Sequence, residues 1–285
     1  MNSPPENNSS NSQRLLVIGF GDLAERLQQP LSTKGWQMEG LCRSQKSAGF
    51  AQLHQGDAAN MQDLERVLTA APPQVVVTLT PDERTPEAYE SAYVRTAERL
   101  VQSCKRLRIQ PHIIFISSTA VYGQDDGADV DEESAVKPKS FNGRALHLAE
   151  RLYKTSDLPV TIIRFSGIYG RSERPLEERL RSATTGFSPW RWSNRIHVAD
   201  AVGVIEFVLQ SYRGNAIPMG VLLASDQRPE QESAIENWVR DQLQLARLQF
   251  ADAQVSGKRC NSARLQALGY QLTVEDYRAG YLEGR

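Results

Sequence analysis

The sequence predicts an α/β fold, a doubly wound parallel sheet followed by a smaller C-terminal region, from three observations. Short apolar runs alternate with amphipathic stretches from residue 14 onward, as in a parallel sheet covered by helices. The first run ends in a glycine turn that opens directly into a helical pattern. The alternation then weakens beyond about residue 165, where a second kind of organisation begins.

The elements follow in order. "RLLVIG" is the first strand, and Leu23, Leu27 and Leu31 recur every fourth residue in the helix behind it. Pro30 falls inside that helix, where proline costs about 3 kcal/mol, so a kink or an early end is expected. "WQMEGLCR", "LHQGD", "PQVVVTLT" and "PHIIFISS" read as strands two to five, each followed by turn or helix signals. Between the last two lies a helix over 85–108. Thr85 caps it, Pro86 suits its first turn, Glu87 and Glu90 favour its positive end, and Lys105, Arg106 and Arg108 favour the other. Tyr89, Tyr93, Ala97, Leu100, Cys104 and Leu107 form its apolar stripe, which suits core or subunit packing.

"FNGRALHLAE" opens the next helix. Its apolar face is expected to be Ala145, Leu148, Ala149 and Leu152, with Arg144, His147, Arg151 and Lys154 on a solvated stripe. "PVTIIRF" is the sixth strand. Residues 1–13 read as a flexible tail, 14–165 as a nucleotide-binding α/β domain and 166–285 as a substrate-binding region, with the helix starting near Val198 returning to the first domain.

Composition narrows the function classes. Lys and Arg total 33 against 34 acidic residues, a formal charge of −1, so there is no global basic field for nucleic acid or an anionic membrane. No apolar run approaches the roughly 20 residues that span a bilayer. The three cysteines, Cys42, Cys104 and Cys260, show no metal-ligand spacing and cannot all pair, which suits a reducing cytoplasm. The N-terminal stretch lacks the charged start and apolar core of a signal peptide, so the Asn8 sequon carries little weight. A small-molecule ligand is the expected partner.

"VIGFGDLA" places Gly19, Gly21 and Ala24 in G-x-G-x-x-G/A spacing between a strand and a helix. The first glycine permits the tight turn, the second lets a pyrophosphate approach the backbone, and the small third residue lets the helix pack closely, with its amino terminus facing the anion. This is the Rossmann fingerprint for a nicotinamide dinucleotide. Phe20, Asp22 and Leu23 of the same turn, and Leu79 and Thr80 at the end of the fourth strand, complete the expected contacts. Where an acidic residue would hold the ribose 2′-hydroxyl, the chain reads "LCRSQK"; Arg43 with Ser44, helped by Lys46, favours a 2′-phosphate, hence NADP over NAD. Asp57 could reach the adenine edge or cap the following helix.

Together these motifs resemble the extended short-chain dehydrogenases/reductases, the NAD-dependent epimerase/dehydratase type that acts on nucleotide sugars. The resemblance is carried by "VIGFGDLA", "GD" at 56–57, "FISSTAVYG" at 115–123, "IIRFSGIYG" at 162–170, "RIHVAD" at 195–200 and "KRCNSARLQALGY" near the end. It implies that Ser118, four residues before Tyr122, hydrogen-bonds the reacting group, with Ser117 and Thr119 as local alternatives. It also implies that Ser166, Gly167 and Ile168 contact the nicotinamide end, and that Thr119, Arg195 and His197 face the substrate. The family's Tyr-x-x-x-Lys is missing: registering on Ala149 and Glu150 puts Asn142 and Leu146 in those places. Asn142 can hydrogen-bond but cannot shuttle a proton near neutral pH. His147, Tyr122 and Tyr169 are the candidates to replace the lost phenol. The resemblance leaves an enzyme without its usual proton shuttle, or a non-catalytic NADP(H)-binding sensor, as rival readings. It also implies a homodimer through the helix over 85–108 and the one opened by "FNGRALHLAE".

Overall fold

The computed structural model describes residues 13–172, 174–182, 187–213 and 220–282, the side chains of 182 and 213 excepted. The expected tail, save Gln13, and its sequon lie outside the described residues. The described residues form two compact units, one of 13–116 with 148–161, the other of 117–147 with the described residues from 162 onward. Seven strands, β1 (Arg14–Ile18), β2 (Gln37–Cys42), β3 (Gln52–Gln55), β4 (Gln74–Val77), β5 (His112–Ser118), β7 (Val160–Phe165) and β11 (Gly220–Ala224), make one sheet. Their order is β11, β7, β5, β4, β1, β2, β3.

In the first unit β1 pairs in parallel with both β2 and β4, setting Leu16 opposite Glu39 on one side and Val75 on the other. Leu16, Val17, Ile18, Val75 and Val76 are almost wholly buried, as a doubly covered strand requires. The strand order reverses between β1 and β4. Ligands of open α/β sheets sit at such a switch point, outside the carboxyl ends of the strands.

Helix α1 (Asp22–Ser32) packs Ala24, Leu27 and Leu31 inward and runs through Pro30, ending two residues later. Helix α2 (Met61–Leu68) is capped by Asn60, whose side chain accepts from the Gln62 and Asp63 amides. Asp57 therefore does not cap it; its carboxylate instead turns back to the Ala59 amide at 2.8 Å. The predicted 85–108 helix is three segments: α3 (Pro86–Tyr89), a π-helical stretch over Glu90–Arg95, and α4 (Thr96–Leu107). Thr85 caps it through the Ala88 amide, and Arg108 closes it in the left-handed conformation at φ 55°.

In the second unit β8 (Gly167–Tyr169) pairs in parallel with β10 (Arg195–His197). Strand β9 (Arg191–Ser193) lies between β12 (Glu230–Gln231) and β13 (Ser256–Gly257), and β14 (Arg259–Cys260) lies beside β6 (Asp129–Val130). Helix α7 (Val198–Arg213) belongs to this unit. Leu176, Ile235, Val239, Tyr277 and Tyr281, from α6 (Pro175–Ser182), α8 (Glu232–Gln242) and α10 (Tyr277–Leu282), form a separate apolar cluster.

Helix α5 (Phe141–Lys154) corrects the predicted apolar face. Leu146 is buried at 5 % and Ala149 fully, whereas Leu148 is 47 % exposed. Arg144, Arg151 and Lys154 are exposed as expected, and His147 is half-buried. Residue 143 explains the tight seating of the helix start: a Cβ there would come within 2.3 Å of the Ala120 carbonyl oxygen. Gly143→Val is expected to cost about 1–3 kcal/mol through overpacking, read as a lower urea midpoint with an unchanged slope.

Candidate functional site

A cavity of about 540 Å³ opens in the first unit at the ends of β1, β2 and β4. Gly19, Phe20, Gly21, Arg43, Ser44, Asp57, Leu79 and Thr80, eight of the expected cofactor contacts, all line it. Gly19 adopts φ +88°, and a Cβ there would lie 2.9 Å from the Leu79 side chain, so only glycine fits the turn. Gly21 differs: its backbone is extended at φ −100°, and a Cβ would meet nothing within 4 Å. That open space lies at the amino terminus of α1, whose unpaired amides suit an anion such as a pyrophosphate. Thr78 donates its hydroxyl to the Gly19 carbonyl, and the Gly19 amide donates to Leu41 at 2.9 Å, fixing the turn to both neighbouring strands. These residues fit a dinucleotide.

Three expected contacts have other occupations. Phe20 is 3 % exposed, and its ring fills the space that Gly40 leaves open. Asp22 and Leu23 lie in the first turn of α1, beyond the cavity wall, and Asp22 pairs with Arg26 at 2.8 Å. That pairing offsets a carboxylate that would otherwise repel an anion at the helix amino terminus.

Arg43 is not a free cation. Both of its terminal nitrogens donate to the Asp82 carboxylate, and this bonding, with the nearby charge of Asp57, holds the guanidinium above its usual pKa. Lys46 is paired with Glu25 at 2.6 Å. The sequence reading missed Asp82, whose partner lies 39 positions away. It also missed Ala88, Ser91, Ala92 and Thr96, small residues at helical spacing that form the cavity wall along the π-helical stretch. Their small size at that spacing was the available signal; π-turns recur at functional sites.

The remaining candidates lie in the second unit. Ser118 accepts a bond from the Ala120 amide at 3.2 Å, capping a short 3₁₀ turn over Thr119–Val121, and its hydroxyl proton stays available for donation. Thr119 shares a side-chain hydrogen bond with Cys260. Asn142 is half-buried in the first turn of α5. Tyr122 donates to the Asp131 carbonyl at 2.7 Å and accepts from Arg164 at 2.9 Å, and burial pushes its pKa up to about 12. Tyr169 donates to the Asp276 carbonyl, and burial raises its pKa too. Neither phenol is prepared to exchange a proton at neutral pH.

Arg195 is 8 % exposed, pairs with Glu232 at 3.4 Å and lies over the Tyr277 ring. His197 is 7 % exposed, meets the Tyr169 ring edge-on and accepts from the Ala199 amide at the start of α7. Ser166 and Gly167 are held by backbone bonds to Ala224 and Asn194, and Ile168 stands opposite Ile196. Beside them Asp226 is 1 % exposed, with Oδ2 unpartnered, and burial pushes its pKa up to about 7. All three cysteines are free, and no metal-binding cluster occurs among the described residues.

An open parallel sheet whose first loop is a glycine turn on a helix amino terminus defines a protein of the extended short-chain dehydrogenase/reductase class. A family model, RmlD substrate binding domain, matches residues 13–188, and the chain belongs to that family. Protein YeeZ of Escherichia coli strain K12 is 29 % identical over 216 residues, 72 % of this chain and 76 % of that protein. A Methylobacillus flagellatus structure, provisionally assigned as an NAD-dependent epimerase/dehydratase, superimposes with a TM-score of 0.81 at 29 % identity, covering 95 % of this chain and 96 % of that one. The Bordetella bronchiseptica enzyme WbmG, in complex with NAD and UDP, has a TM-score of 0.75 at 15 % identity, covering 95 % and 92 %. No helix among the described residues is long and apolar enough to cross a membrane.

Proposed function

We propose that the chain is a nicotinamide-dinucleotide-dependent oxidoreductase of the epimerase/dehydratase kind, acting on a nucleotide sugar or similar small polar substrate without the usual Tyr/Lys pair. The observation that carries this reading is the cavity walled by Gly19, Gly21, Arg43 and Asp57 at the amino end of α1. The bound dinucleotide would supply hydride transfer; the chain supplies position and electrostatics. Gly19 and Gly21 would hold the pyrophosphate, Ser166, Gly167 and Ile168 the nicotinamide end, and Ser118, with Thr119, a substrate hydroxyl or carbonyl. His147 and Asn142 are the polar groups of α5 left to assist. Arg195 and His197 would shape the substrate region from within their packed positions. The WbmG complex with NAD and UDP supports a nucleotide-linked substrate.

The cofactor choice follows the charges. Arg43 points to NADP by type, but it is bonded to Asp82, and the WbmG complex holds NAD, so we take NAD as the preferred form. Three free thiols suit a reducing compartment, and we place the protein in the cytoplasm, with a homodimer as its assembly.

A second reading is a non-catalytic dinucleotide sensor that presents a partner-binding form when loaded. It is favoured by the buried Leu146 in the lysine position and by two tyrosines with occupied hydroxyls. Following both nicotinamide absorbance and product formation by chromatography with a panel of nucleotide sugars separates the two, because an epimerase or dehydratase returns the hydride and leaves no net absorbance change. Turnover that falls about 100-fold in Ser118→Ala supports the enzyme. Full activity in that variant overturns the role of Ser118, and cofactor binding without turnover across the panel favours the sensor.

A further inference from the structure

Resting on the dinucleotide reading, we infer that Asp82, in the loop after β4, is the residue that sets cofactor choice, masking Arg43 so that the pocket takes a ribose 2′-hydroxyl and rejects a 2′-phosphate. Arg43 and Asp82 both line the cavity, and they face each other through two hydrogen bonds. A 2′-phosphate could engage the guanidinium fork only by displacing this carboxylate or by lying beside it.

The surroundings add to that cost. Asp57 also lines the cavity and acts on Arg43 through its charge. Lys46, the other cation of the "RSQK" stretch, is held by Glu25 at 2.6 Å. Within the cavity one cation, Arg43, thus faces two carboxylates, and Lys46 outside its lining is already matched by Glu25, so the two negative charges of a phosphate find no surplus of positive charge. A ribose hydroxyl asks for much less: it needs one acceptor. A carboxylate carries about four acceptor positions, so Asp82 can hold Arg43 and still accept from the 2′-hydroxyl. The acidic group that reads the ribose, which the end of β2 lacks, is thereby brought from the end of β4. Arg43 becomes the group that positions it. Both side chains are more than half exposed, so the pair can be altered without disturbing the core.

The test is calorimetric titration of the full chain with NAD and with NADP, repeated for Asp82→Asn, Arg43→Ala and the double variant. The wild type is expected to bind NAD more tightly. Asp82→Asn should improve NADP affinity about tenfold, because one repelling charge is removed and one fork freed, and weaken NAD about tenfold, because the charged acceptor for the 2′-hydroxyl is lost. The double variant should lose that gain, since the freed cation is gone. A ratio of affinities unmoved by Asp82→Asn, with NAD still bound, overturns the role of Asp82 and leaves the dinucleotide reading intact. A wild type that already prefers NADP overturns it equally. Failure of the wild type to bind either nucleotide overturns both.

Discussion

Gly21→Val is expected to lower dinucleotide affinity by about 100-fold or more while leaving the melting temperature within about 2 °C of wild type. The two effects separate because of local geometry. The backbone at Gly21 is extended, a conformation any residue adopts, and the space beyond its Cα is open, so valine enters without strain. That space is where a pyrophosphate would approach the amides, and a branched side chain there holds it off. Gly19→Val should behave in the opposite way. At φ +88°, with the Leu79 side chain 2.9 Å from the added carbon, it should destabilise the fold by about 2 kcal/mol or more. Thermal unfolding and titration of the two variants check both halves. Equal nucleotide affinity in Gly21→Val and wild type would mean that the loop does not cradle the ligand.

Asp226→Asn is expected to stabilise the protein increasingly as pH rises from about 4 to 7, by up to about 4 kcal/mol at neutral pH and above. Asp226 is 1 % exposed, its Oδ2 finds no partner, and only Oδ1 accepts, from the Arg228 amide at 3.2 Å. Burial pushes its pKa up to about 7, against the opposing pull of that amide and of Arg195 and Arg228, while Asp276 adds a like charge. The sign follows directly. Below about pH 4 the carboxyl is neutral in both folded and unfolded chains, and its contribution to stability is fully present. As pH rises, the unfolded chain ionises first; the contribution is lost through the folded pKa near 7 and stays lost above it. Asparagine keeps the shape without a charge, so the variant should show a flatter pH profile. Urea unfolding at pH 4.5 and pH 8 measures it, and an identical difference at both values would contradict the buried, reluctant carboxyl.

The sheet was legible because its strands are short runs of Leu, Val and Ile bounded by Gly, Pro and polar turns; β1, β4, β5 and β7 fall within their predicted runs. The glycine turn was legible because its spacing encodes a backbone shape. Features set by distant partners were not. The expectation of NADP counted Arg43 and Lys46 as unpaired cations, and only the fold brings Asp82 and Glu25 to them. The face of α5 was misread for a related reason. Glu150 is fully buried beside Ala149, Leu146 lies inward and Leu148 outward. Spacing alone does not distinguish those two leucines. Asp226 carried no sequence signal, since it belongs to no motif and its character comes from burial.

On the proposed reading the first strand, its glycine turn and the amino end of α1 are arranged around a nicotinamide dinucleotide, and direct titration tests this most simply. Purified folded protein titrated with NAD and NADH should give saturable heat with about one site per chain. No detectable heat from either form at millimolar concentration, with the phosphorylated dinucleotides equally silent, would contradict it.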